Sequence, residues 1–124
     1  MKNTFGSYIR ACRIKAGIGQ REFARKIGVS PSYLNEIEHS KRPSPSTNFL
    51  NKMQYLLPID VEKLNDLAGK TKDGLPPDVE HYLLCNTESI SLMRILQSLK
   101  FTDEKILELK NMVAAQNYKA IIIA

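Results

Sequence analysis

The chain has 124 residues, of which 43% are hydrophobic, a size that suits one domain or one small domain with an appendage. No apolar run is long enough to span a bilayer and the N-terminus lacks the apolar segment of a secretory signal, so we expect a cytoplasmic protein with no membrane partner. The formal net charge is +5, which indicates an anionic partner if the basic residues are clustered.

The basic residues are indeed concentrated in one part of the chain. Residues 1–45 contain nine lysines and arginines against three glutamates, whereas the remainder has nine basic and ten acidic residues. A solvated charged surface would explain a basic set spread evenly along the chain. The separation of charge between the two parts instead indicates that the first part meets a polyanion.

The residue types that carry catalysis or bind metals form no recognisable arrangement. Cys12 and Cys85 lie far apart without a CxxC spacing, and His39 and His81 are the only histidines. The sequence has no HExxH, nucleophile elbow, phosphate-binding glycine loop or paired acidic site. We therefore expect no catalytic residue, no metal and no cofactor, and we do not expect an enzyme.

The first three predicted helices lie within residues 4–39. An amphipathic helix begins after the cap Thr4 and ends at Gly17, and a second begins at Gln20. The tight turn 28–30 joins the second helix to a third, for which Ser30 is an N-cap and Pro31 the first residue. Two short helices joined in this way can pack at a steep angle and leave a polar face of the second one bare.

The rest of the chain predicts five more helices around one linker. A fourth helix begins at Ser46 or Thr47 and is broken by Pro58, and a fifth begins at Asp60 and ends at Gly69. Residues 70–77 are polar and rich in helix-breaking residues, so they predict a linker. Three helices follow, over about 78–84, 88–99 and 102–116, before an apolar, β-branched end. We expect an all-α protein with a five-helix domain over 1–69 and a helical extension over 78–124.

A set of glycine, apolar and polar positions in the first 69 residues matches a known pattern. The matching residues are Phe5-Gly6, Ile9-Arg10, Arg13, 17–20, Phe23-Ala24, 27–34, Ile37-Glu38 and 41–44. In this combination the segment resembles the lambda-repressor-like (Cro/cI, or XRE-type) helix-turn-helix family. Two positions depart from the family pattern, Gly19 where a capping side chain is usual and Ser40 where glycine is frequent, so we expect Ser40 or His39 in a left-handed conformation.

The resemblance implies a role for each matching polar residue. The third helix would enter the major groove of double-stranded DNA and read bases, and the positions that follow would hold phosphates. The base-reading set is Pro31, Ser32, Tyr33, Asn35 and Glu36, the phosphate-contacting set is Gln20, Arg21, Lys41, Arg42, Ser44 and Asn48, and Arg13 with Glu38 would form an internal salt bridge. For Glu36 two roles stay open, an acceptor for a cytosine amine or a carboxylate that discourages non-specific binding.

The residues after the linker provide apolar stripes that suit dimerisation. Since one recognition helix reads few base pairs, such proteins act as two-fold dimers, and we expect a homodimer. The expected contacts are Leu92, Met93, Leu96, Leu99, Ile106, Leu109, Val113, Ile121, Ile122 and Ile123. Folding of this segment back onto the first domain stays open.

The functional expectation is a bacterial or phage transcriptional regulator, a repressor that occludes a promoter. The alternative is an antitoxin or adaptor whose C-terminal helices bind a partner protein while the helix-turn-helix domain autoregulates.

Overall fold

The computed structural model describes the backbone of residues 3–123 and the side chains of residues 3–116. These residues form eight helices and no strand, which confirms the prediction of an all-helical fold. The helices are α1 (Phe5–Lys15), α2 (Gln20–Ile27), α3 (Pro31–Glu38), α4 (Thr47–Leu56), α5 (Val61–Lys70), α6 (Pro77–Cys85), α7 (Thr87–Ser98) and α8 (Asp103–Ile123). Backbone contacts divide the chain into two units after Tyr82. Whether residues 1–69 are an independent domain stays a prediction.

The first unit is organised around one apolar core, to which the five helices from α1 to α5 all contribute. Phe23, Ile27 and Leu34 are among its fully buried side chains. The full set is Phe5, Ile9, Cys12, Phe23, Ala24, Ile27, Leu34, Ile37, Leu50, Met53, Leu57, Leu64, Leu67 and Ala68. Because Leu34 and Ile37 are both 0% exposed, the rotation of α3 about its axis is set, and Ser32 and Asn35 are left exposed on its other side.

The turn between α2 and α3 has the chemistry that the sequence predicts. Gly28 adopts the left-handed conformation at φ +84°, and its N–H donates to the carbonyl oxygen of Ala24. Ser30 then caps α3, with its hydroxyl accepting the backbone N–H of Tyr33 at 3.1 Å, and Pro31 occupies the first helical position.

The turn after α3 bends the chain back over that helix. Ser40, and not His39, takes the left-handed conformation, at φ +59°. The backbone N–H of Lys41 donates to the carbonyl oxygen of Glu36 at 2.8 Å, which closes the C-terminal end of α3. The residues after Ser40 therefore begin beside the last turn of α3 and do not project away from it.

The end of α5 differs from the prediction. Gly69 lies inside the helix, so the prediction that it ends α5 is wrong. A Cβ atom at Gly69 would lie 2.7 Å from the carbonyl oxygen of Leu75, which shows that the chain after α5 returns closely against it. The side-chain oxygen of Thr71 also accepts the backbone N–H of Ser44 at 3.0 Å. Of the predicted linker 70–77, only Lys70 and Pro77 lie in helices, and residues 70–75 are exposed, so the linker stays a prediction.

The second unit contains the helices α7 and α8. Lys100, with φ +52°, lies in the turn between them, and the hydroxyl of Thr102 accepts the backbone N–H of Lys105 at the start of α8. The helix continues to Ile123, past the predicted end at Gln116, because no glycine or proline follows Thr102 to stop it. Among the helices of the described residues, none is long and apolar enough to cross a membrane.

Arg13 and Glu38 form a buried ion pair that ties α1 to α3. The Nε atom of Arg13 lies 2.7 Å from Oε2 of Glu38, and its Nη2 atom donates to Oε1 at 2.9 Å. The Nη1 atom donates to the carbonyl oxygen of Ile18 at 2.9 Å, in the connection to α2. The two parallel hydrogen bonds fix the relative position of the helices as well as neutralising both charges.

Gly6 allows α1 to approach the end of α3. A Cβ atom there would collide with the carbonyl oxygen of Ile37 and would lie 2.9 Å from that of Glu38. Both obstacles are backbone atoms, so a side chain at this position would have to push the helices apart.

We expect Gly6→Ala to lower the free energy of unfolding by about 1–3 kcal/mol or more, because overpacking forces backbone shifts. Gly74→Ala is the matched control, since the nearest atom to its added Cβ is the carbonyl oxygen of Lys72 at 3.8 Å. Urea denaturation followed by circular dichroism measures both. Equal stability of the two variants would contradict the close approach.

We expect Arg13→Met to lower the free energy of unfolding by about 3–5 kcal/mol, because it leaves the buried Glu38 carboxylate without its counter-charge. Lys26→Met is the control, since it breaks an exposed pair with Glu22 (3.4 Å) and should cost under about 1 kcal/mol. The same denaturation experiment compares them, and a small loss in Arg13→Met would argue against the pair as the constraint on α1 and α3.

Candidate nucleic-acid interface

The outward face of α3 carries the side chains predicted to read bases. Pro31, Ser32 and Asn35 are exposed, and Tyr33 and Glu36 are half-buried. The buried residues of the same helix, Leu34, Ile37 and Glu38, lie toward the core, and the Tyr33 ring also packs partly against it. A short helix with a bare polar face, held by a core on its opposite side, is suited to insertion into a groove of a larger molecule.

Gln20, the first residue of α2, connects the buried ion pair to this face. Its Nε2 atom donates to Oε1 of Glu38 at 3.2 Å and to Oδ1 of Asn35 at 3.3 Å. A carboxylate only accepts hydrogen bonds, so the Gln20 atom facing Glu38 must be the nitrogen, and both of its N–H bonds are used. Asn35 therefore accepts from Gln20 and keeps its own amide N–H groups for an outside acceptor.

The same geometry changes how Gln20 could hold a phosphate. With both side-chain N–H bonds occupied, its amide has no donor left for an anion. The backbone N–H groups in the first turn of α2 have no partner within the helix. A phosphate at this position would therefore meet the backbone at the start of α2 and not the Gln20 side chain.

Arg42 lies against the outward face of α3 and does not extend from the loop. Its Nε atom lies 2.6 Å from Oε2 of Glu36, and its Cζ atom lies 5.5 Å from the centre of the Tyr33 ring. Hydrogen bonding to the Glu36 carboxylate raises the pKa of the Arg42 guanidinium above its usual value. The Arg42 side chain is 54% exposed and the half-buried Glu36 side chain 40%, so both are accessible to a ligand.

Ser44 does not fit its predicted phosphate contact. It is buried, its hydroxyl donates to the carbonyl oxygen of Ala68 at 3.3 Å, and its backbone N–H donates to Thr71. The loop after α3 turns inward at Ser44 and packs on α5, which leaves this residue no donor for a phosphate. The prediction for Ser44 is wrong for that reason.

The other predicted phosphate contacts lie on the surface. Arg21, Lys41 and Asn48 are all exposed, the first on α2, the second in the loop and the third in the first turn of α4. The pairing of Glu36 with Arg42 and the link from Gln20 to Glu38 were not predicted. No sequence pattern predicts either contact, because residues that face each other along a helix are three or four positions apart and these pairs are further apart.

In the second unit the residues predicted for dimerisation are largely solvent-exposed. Leu92, Leu99 and Val113 are 48%, 63% and 56% exposed, and Met93 and Ile106 are similar. Leu96 and Leu109 are half-buried. Ile121, Ile122 and Ile123 lie outside the residues whose side chains the structure describes.

Comparisons with known proteins agree with this geometry. The sequence profile of the helix-turn-helix family matches residues 9–53, which include α2, α3 and the turn between them. The HTH-type transcriptional regulator SinR of Bacillus subtilis is 37% identical over 70 residues, which cover 56% of this chain and 63% of SinR. An uncharacterised HTH-type transcriptional regulator of Mycobacterium tuberculosis is 30% identical over 82 residues, 66% of this chain and 58% of that protein.

A solved structure of a SinR protein/SinI protein complex superposes with a TM-score of 0.46 at 25% identity, covering 94% of this chain and 98% of that chain. The matched region spans less than two thirds of the length of the curated relatives named above. The profile match includes the residues that form the α2–turn–α3 element. Over residues 9–53 the chain therefore contains a helix-turn-helix segment, as the resemblance to the lambda-repressor-like family implies.

Proposed function

We propose that this chain is a sequence-specific, DNA-binding transcriptional repressor that acts as a homodimer on a pseudo-palindromic operator. The observation that carries the proposal is the polar face of α3, which Leu34 and Ile37 orient from behind and the Arg13–Glu38 pair holds in place. The basic excess lies in the same part of the chain, and the relatives are named as transcriptional regulators.

In the proposed complex α3 lies in the major groove, with its N-terminal residues at the base edges. Ser32 and Asn35 have exposed hydrogen-bonding groups there, and Asn35 presents its N–H donors because its oxygen is taken by Gln20. Such donors suit the acceptor atoms N7 and O6 of guanine, N7 of adenine or O4 of thymine. The selectivity of α3 then depends on an arrangement that is formed before DNA arrives.

Phosphate contacts in this proposal come from the elements around α3. Lys41 and Arg21 supply charge, Asn48 supplies a neutral side chain, and the start of α2 supplies backbone N–H groups. These contacts give affinity and salt dependence, whereas the α3 side chains give the preference for a sequence.

Dimerisation in this proposal uses the apolar side chains of α7 and α8. A single copy leaves Leu92, Leu99 and Val113 about half exposed or more, and their burial against a second copy would be favourable. Two copies with two-fold symmetry would place their α3 helices about 34 Å apart, one turn of DNA. Occupation of such a site would exclude a promoter from other proteins.

The same exposed apolar surface favours a second candidate function. An antitoxin or adaptor would use it to bind a different protein and would keep α3 for autoregulation. A stoichiometric partner that co-purifies with the chain and separates its dimer would favour this candidate over the homodimer.

Selection of bound duplexes from a random DNA pool tests the main proposal. We expect the full chain to enrich a two-fold symmetric motif whose half-sites are separated by about one helical turn, because two α3 helices related by symmetry read the same sequence twice. Binding to all duplexes alike, with no enriched motif, would contradict the proposed function.

We expect Leu92→Glu to weaken self-association, because it places a charge in the apolar surface of α7 that dimerisation would bury. Ser98→Glu is the matched control, since it adds the same charge roughly 120° around the same helix. Sedimentation equilibrium measures the monomer–dimer constant. A dimer equally stable in both variants would place the interface elsewhere.

A further inference from the structure

We propose that Arg42 reads a guanine base and that Glu36 positions it, so that together they select a G·C pair in each half-site. The inference rests on the proposed DNA-binding function, but it gives Arg42 a different role from the phosphate contact that the family resemblance implies. The observation behind it is the Glu36–Arg42–Tyr33 cluster on the outward face of α3.

The backbone places Arg42 at this face. The left-handed Ser40 and the hydrogen bond from the N–H of Lys41 to the carbonyl oxygen of Glu36 reverse the chain at the end of α3. Two residues after the reversal, the side chain of Arg42 reaches Glu36, one turn back along the helix. The guanidinium is thereby brought to the surface that enters the groove.

The contacts leave the recognition edge of Arg42 free. Only its Nε atom donates to Glu36, and the described residues supply no other hydrogen-bond acceptor to Arg42. The two Nη atoms therefore keep the parallel N–H groups that bind two acceptors at once. The Tyr33 ring, 5.5 Å from the Cζ atom, supports the group from one side and limits its movement.

The cluster is complementary to one base pair. In the major groove a guanine presents two adjacent acceptors, N7 and O6, and its paired cytosine presents the N4 donor. The Nη atoms of Arg42 match the two acceptors, and Oε1 of Glu36, which accepts no hydrogen bond from the described residues, matches the donor. An A·T pair presents a donor between two acceptors and does not fit this order.

Charge argues against the phosphate role for Arg42. A phosphate on Arg42 would lie near the Glu36 carboxylate, and the two negative charges would repel each other. The Glu36–Arg42 pair is neutral as a unit, so it adds little to the attraction for DNA in general. Lys41, its neighbour in the loop, has no ion-pair partner among the described residues and is the better phosphate contact.

The test is site selection with the full chain in four forms: wild type, Arg42→Ala, Glu36→Gln and the control Lys41→Ala. We expect the wild-type motif to contain a G·C pair in each half-site whose replacement weakens binding by about tenfold to a hundredfold. Arg42→Ala should abolish that preference and keep the rest of the motif. Glu36→Gln should reduce the preference for the same pair, because the guanidinium loses its positioning partner.

The control separates base reading from phosphate contact. Lys41→Ala should weaken binding to every duplex alike and lower the slope of log K against log salt by about 0.9, as one lost phosphate contact does. Arg42→Ala should leave that slope nearly unchanged. Because the side chains of Arg42 and Glu36 are both accessible to solvent, circular dichroism should show all four forms equally folded.

Two results would overturn the inference in different ways. If Arg42→Ala keeps the whole motif and lowers the salt slope as Lys41→Ala does, Arg42 is a phosphate contact and the proposed function stands. If the wild type enriches no motif, the proposed function itself fails, and the role given to Arg42 fails with it.

Discussion

The arrangement of the first unit depends on the buried ion pair between Arg13 and Glu38. Removing two charges from water is costly, and the cost is offset only when each charge meets its partner in good geometry. The parallel hydrogen bonds of 2.7 and 2.9 Å, with a third from Arg13 to Ile18, satisfy that condition. The pair can form in only one position of α1 relative to α3, so the core and the pair specify the same arrangement.

The charge state of this pair also determines the hydrogen bonding of the surface above it. Glu38 can only accept, so Gln20 must turn its nitrogen inward, and the second N–H of that nitrogen goes to Asn35. The donors of Asn35 are left facing outward. A buried charge thus determines which groups α3 offers to a ligand, without itself reaching the surface.

Two of the ion pairs in the first unit, Arg13–Glu38 and Glu36–Arg42, differ in character. Arg13–Glu38 is buried, and its partners cannot separate without leaving a charge out of water. Glu36–Arg42 is accessible to solvent, and such a pair contributes little to stability and can exchange partners at low cost. The buried pair fixes the position of α1 relative to α3. The accessible pair orients its two side chains and still leaves them able to bind a ligand.

The sequence by itself determined the local features of this protein, namely its turns, its helix caps and the buried faces of its helices. Gly28, Ser30 and Pro31 specify the α2–α3 turn through backbone conformation and capping, and apolar spacing specifies which faces are buried. The pattern of the first 69 residues also indicated the family. These features could be predicted because each depends on residues a few positions apart.

Only the tertiary structure decided the features that depend on contacts between distant segments. Ser44 finds its hydrogen-bond partners 24 and 27 residues further along the chain, and Leu75 returns so close to Gly69 that no side chain fits there. Arg42 meets Glu36 because a left-handed Ser40 reverses the chain. Sequence periodicity cannot predict these contacts, because they result from the packing of whole helices and loops against one core.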